Sequence, residues 1–68
     1  MYAPKFVWDY MRFVLREIKS DFPDDAEKAA IAEDTARHYI KNYERGLIVL
    51  DEVMQAISCL RRAIREAE

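Results

Sequence analysis

The sequence predicts an all-α protein, an up-down-up antiparallel three-helix bundle that self-associates. Three observations lead there. Apolar residues recur at helical spacing along three segments, with no period-two stretch that would mark a strand. The single glycine and the two prolines fall at or between the ends of those segments. The first segment is also apolar around more of its circumference than a small core can cover. The 68 residues are read as a single helical domain over 1–68, with helices expected at roughly 4–20, 23–45 and 49–67.

The first helix opens at Pro4, whose missing N–H would have no intrahelical partner in a first turn. From there to Ser20, a rotation of about 100° per residue gathers Lys5, Asp9, Arg12, Arg16, Lys19 and Ser20 into one polar stripe. Val7, Met11, Val14 and Ile18 form the centre of the apolar arc. Phe6, Tyr10 and Phe13 lie along one flank of it, and Trp8 and Leu15 along the other. The arc spans roughly 220°, where a surface helix normally needs about 100°.

Pro23 ends this helix, because the residue before a proline is pushed out of the α region. Asp24, Asp25 and Glu27 then place negative charge on the first turn of the second helix, and Asp24 with Glu27 has the spacing of a capping box. Ala29, Ala32, Ala36, Tyr39 and Tyr43, with Ile40 alongside, define its buried stripe, small enough in the first half to let another helix approach closely. Gly46 suits the left-handed position that closes this helix, with Leu47 expected to fold back on the last turn.

The third helix is expected to start near Val49 or Leu50, with Asp51 and Glu52 in its first turn and Arg61, Arg62 and Arg65 toward its end, in keeping with the macrodipole. Leu50, Val53, Ile57, Leu60, Ile64 and Ala67 form its core stripe, bordered by Ala56 and Ala63. Connections of about three to five residues make sequential helices antiparallel.

The charge balance is −2, from 11 basic and 13 acidic residues, so the total draws the chain toward neither nucleic acid nor an anionic membrane. A lone cysteine, Cys59, excludes an intramolecular disulfide, fits a reducing compartment and gives a cytoplasmic expectation; it is read as a small buried residue at the core rim. The N-terminus lacks the basic and apolar regions of a signal peptide, and no apolar stretch reaches the ~18 residues of a membrane span.

Chemistry-bearing constellations are sparse. His38, with Asp34 one turn before it, falls short of the three or four protein ligands zinc requires and reads as an exposed ion pair. The carboxylates are not flanked by the loops and glycines that build a catalytic cleft, and Glu33 with Arg37 reads as a surface pair. No enzyme activity, metal, cofactor or small-molecule substrate is expected.

The expected function is that of a protein-interaction module, acting as a homodimer or as a regulator or inhibitor docking on a larger protein. Phe6, Trp8, Tyr10 and Phe13 are its candidate interface residues, with Asp9, Arg12 and Arg16 at the polar rim. Phe13 lies nearest the polar stripe, where a monomeric bundle leaves it wet, and Met54 and Ile31 add secondary contact surface on the polar sides of their helices. The runner-up is a nucleic-acid-associated regulator contacting phosphates through Arg61, Arg62 and Arg65. A helix-turn-helix reader is disfavoured, because its recognition helix would begin Leu50-Asp51-Glu52 and repel phosphates.

Overall fold

The computed structural model describes residues 2–67. Four helices make up the described chain, with no strand: α1 (Lys5–Asp21), α2 (Ala26–Glu44), α3 (Leu50–Ser58) and α4 (Leu60–Glu66). They form a compact globule with a radius of gyration of 11.8 Å.

The helix expected over 49–67 is therefore two. At Cys59 the backbone sits at φ −90°, ψ −6°, still right-handed but displaced from the ideal α-helical values. The Ser58 hydroxyl donates to the Gln55 carbonyl at 2.9 Å, and the Cys59 N–H donates to the same oxygen at 3.0 Å. A side chain competing for a backbone acceptor loosens a helix locally. The Ala63 N–H still reaches the Cys59 carbonyl at 2.9 Å, so the direction of the chain carries through the break.

Several termini are closed by local chemistry. Pro4 is the residue before α1, extended at φ −61°, ψ 153°. The N-cap of α2 is Asp25 rather than Asp24: its carboxylate accepts the Lys28 N–H at 3.3 Å and pairs with the Lys28 ammonium at 3.2 Å. Before α3, the Glu52 carboxylate accepts the Val49 N–H at 3.3 Å, the reciprocal half of a capping box.

The end of α2 is a Schellman motif. Gly46, at φ +78°, donates to the Tyr43 carbonyl, and Leu47 donates to the Asn42 carbonyl, each at 2.9 Å. The Leu47 side chain does not fold back on that turn; it is 68% exposed.

The core takes Val7, Met11, Val14, Leu15 and Ile18 from α1, Ala29, Ala32, Ala36 and Ile40 from α2, Val53 and Ile57 from α3, and Leu60 and Ile64 from α4. Among the described residues no polar or charged side chain is buried and no buried side-chain polar atom lacks a partner. Ala32 and Ala36 have no exposed surface, so the backbone of α2 approaches its neighbours closely.

The expected core stripes need correction at their edges. Tyr39 is exposed and Ile40 fills the stripe of α2 in its place. Cys59 is exposed, since it lies about 130° around the helix from the stripe of Val53, Ile57, Leu60 and Ile64. Ala63 and Ala67 are exposed, whereas Met54, expected on the polar side, packs against the core.

Nothing lies within 4 Å of where a Cβ on Gly46 would sit, so a side chain there meets only backbone strain. Gly46→Ala is expected to lower stability by about 1–2 kcal/mol through the left-handed conformation alone, read as a lower urea midpoint with an unchanged slope.

Candidate interaction surface

Three surfaces surround α1. On the aromatic flank, Phe6 and Phe13 are 52% and 55% exposed, while Tyr10 is half-buried and packs against the core. The structure thus divides the candidate interface residues, leaving two phenyl rings in solvent and folding the tyrosine partly inward. Trp8, on the other flank, is also half-buried against the core, with the Arg37 guanidinium carbon 5.8 Å from its ring centroid. That is cation–π distance, and it ties α1 to α2 rather than offering Trp8 to solvent. Ile31 is 50% exposed on α2.

The second surface joins the end of α1 to α4. Arg61 donates through Nε and Nη2 to the two carboxylate oxygens of Asp21, the latter at 2.8 Å, and through Nη1 to Glu17 at 3.3 Å. Arg65 adds a bond to Asp21 at 3.3 Å. This planar two-point grip is the geometry in which a guanidinium binds a carboxylate best.

Asp21 stands at the C-terminal end of α1, where the helix dipole disfavours an anion, so the arginines offset an unfavourable placement. Macrodipole complementarity, the reason expected for the arginines, does not account for Arg61, which lies in the first turn of α4. Its partner in α1 does. The hydrogen bond from Arg61 holds the Asp21 carboxyl below its ordinary value of 3.8, and Asp21 in turn raises Arg61. Arg62 is exposed and has no ion-pair partner among the described residues.

The third surface, between α1 and α2, was read from sequence only as a polar rim. Two adjoining open depressions of about 430 and 280 Å³ share Lys19 and Glu33 as walls. Met11, Leu15, Ala29 and Phe22 contribute to their floors; Arg12, Arg16, Lys19 and Arg37 stand around them. Arg12 pairs with Asp9 and Arg37 with Glu33, each at 3.2 Å, whereas Arg16 and Lys19 have no ion-pair partner among the described residues. The spacing i, i+4, i+7 of Arg12, Arg16 and Lys19, opposite a helix whose early residues are alanines, is the signal that sequence reasoning could have used.

No group of three or more His, Cys, Asp or Glu residues able to hold a metal occurs among the described residues, and no ion pair joins His38 to Asp34. No described helix is long and apolar enough to cross a membrane. Comparison with protein-family models, with curated proteins and with solved structures finds no significant match.

Because the folded-state pKa of Asp21 is depressed, the stability it contributes is present above the ordinary value of 3.8 and is lost as pH falls through the lowered one. Asp21→Asn is expected to be less stable than the native chain at pH 7. The gap between the two is expected to close below pH 3.8, as followed by chemical denaturation across a pH series.

Proposed function

We propose that this chain is a small, non-enzymatic, cytoplasmic protein-interaction module that works as a homodimer, or as a regulator docked on a larger protein, through the aromatic flank of α1. The observation that carries this reading is the pair Phe6 and Phe13, each more than half exposed on a helix whose remaining apolar arc is already committed to the core. Aromatic side chains in this state are the usual anchors of protein interfaces.

The contacts support an up-down-up path as the frame for that flank. Ala3 donates to the Glu44 carboxylate at 2.8 Å, which fits α2 returning alongside α1. Glu17 and Asp21 meet Arg61 and Arg65 in the same chain order, which fits α3 and α4 acting as one broken third arm parallel to α1. Carried toward the N-terminus, this register sets Tyr10 level with Met54 and Phe6 level with Leu50, all partly buried but Phe6. The apolar strip then continues from α1 onto α3.

Magnitudes decide how much of the strip an interface must use. A half-exposed phenyl ring leaves roughly 100 Å² in water, so covering it contributes about 2–3 kcal/mol. Four such rings in a symmetric dimer contribute on the order of 10 kcal/mol, comparable to the cost of bringing two molecules together, about 4–15 kcal/mol. The rings alone do not suffice, and Tyr10 and Met54 must be covered as well. The nucleic-acid alternative draws less support, since Asp21 and Glu17 already occupy Arg61 and Arg65 and leave only Arg62 uncommitted.

Light scattering with reductant present, to remove any Cys59 crosslink, tests the reading. The native chain is expected at twice 8.1 kDa, and Phe6→Ala/Phe13→Ala at the monomer mass with its helical circular dichroism retained. A native monomer removes the homodimer form and leaves docking on a larger protein. Unchanged mass in the variant refutes the aromatic flank as the dimer contact.

A further inference from the structure

We infer that the groove between α1 and α2 docks an acidic, amphipathic helix of another protein. It lies on the opposite flank of α1 from Phe6 and Phe13, so the inference does not depend on how the aromatic flank is used.

The groove exists because of side-chain size. Along α2, Ala26, Ala29 and Ala30 are short, and the larger depression of about 430 Å³ opens between them and Lys19, Phe22 and Pro23; the smaller, of about 280 Å³, continues it between Met11, Leu15 and Arg16 of α1 and Glu33 and Arg37 of α2. From Met11 to Phe22 the trough follows α1 for about 16 Å at 1.5 Å per residue, which accommodates three turns of a guest helix. The larger depression is lined mainly by the apolar Phe22, Pro23, Ala26 and Ala30, so the guest needs an apolar stripe of its own at that end, as in other helix-in-groove complexes.

Charge fixes the rest of the guest's chemistry. Arg12, Arg16, Lys19 and Arg37 against Asp25 and Glu33 give the two depressions together a formal charge of +2, on a chain whose total is −2, with the positive charge concentrated at the smaller one. Arg12 and Arg37 are engaged with Asp9 and Glu33 in exposed pairs of little strength, easily exchanged for a partner's carboxylates. Arg16 and Lys19 are exposed and make no ion pair among the described residues.

Arg12, Arg16 and Lys19 follow one another at helical spacing along one edge of the trough. A row of Glu or Asp residues at i, i+4 and i+7 on a guest helix meets that row in register. A phosphate backbone fits less well. It offers nothing to cover the apolar lining of Phe22, Pro23, Ala26 and Ala30 in the larger depression.

The test uses a designed helical peptide with leucines on one face and glutamates along its edge, together with a twin carrying lysine at every glutamate. Each is titrated to about 1 mM, the weak end of specific binding, into isotopically labelled protein followed by amide chemical shifts. The acidic peptide is expected to shift residues of α1 and α2 around the groove, with affinity falling as salt is raised. The lysine twin is expected to bind at least about tenfold more weakly.

Arg16→Glu/Lys19→Glu is expected to weaken the acidic peptide by at least about tenfold, and the milder Arg16→Gln/Lys19→Gln to do so in part. Both positions are solvent-exposed and make no ion pair among the described residues, and circular dichroism verifies that the variants remain helical. Equal binding of the two peptides, shifts on another face, or no shift from the acidic peptide overturns the inference. So does tighter binding of a single-stranded RNA of similar charge at the same residues.

Discussion

Everything in this fold packs against the arc of α1, and the width of that arc is the constraint from which the other features follow. Five of the core residues come from this one helix, and Val7 and Ile18 retain no accessible surface. A core made wholly of apolar side chains is held by contacts that carry no direction of their own. Alignment must therefore come from elsewhere. The small residues Ala32 and Ala36 determine how near α2 can come, and the grip of Arg61 on Asp21 sets where α4 lies along α1. The charged groups at the rim act on the register of the helices, while the core supplies the cohesion.

Much of the fold was legible because helical periodicity is a property of sequence alone. The central line Val7, Met11, Val14, Ile18 is buried, as its spacing requires, and Gly46 takes the left-handed conformation that ends α2. The misses came from effects that periodicity does not encode. The break at Cys59 is a departure of one residue, beside a serine hydroxyl that shares the Gln55 carbonyl, and a heptad pattern reads straight through it. The spacing of Tyr39 matches the alanine stripe, yet Ile40, a step away on the helix, fills that space without a hydroxyl to satisfy. Met54 shows the converse, a residue near the edge of its stripe drawn inward because the core has room for a flexible side chain.

The surfaces around α1 were legible to different degrees. Exposure of Phe13 follows from its angular position beside the polar stripe, which sequence supplies directly. The partial burial of Tyr10 and Trp8 does not, since it depends on which neighbouring helix reaches over each ring. The pairing of Arg61 with Asp21 spans 40 positions of the chain and only tertiary structure brings it about. The cationic groove is a further step removed, because it requires two rows on separate helices to face one another. One helix thus carries two different surfaces on opposite flanks, an aromatic one beside α3 and a cationic one beside α2, and use of one leaves the other open.

The central claim is that the apolar arc of α1 exceeds what the chain's own core can cover, so that association supplies part of its stability. Thermal unfolding measured over a hundredfold range of protein concentration tests this most directly, because mass action makes the midpoint of an associating protein depend on concentration. The account predicts a midpoint that rises steadily with concentration while the helical signal of the native state stays constant. A midpoint that does not move would contradict it, by showing that self-association contributes nothing to the stability of the fold.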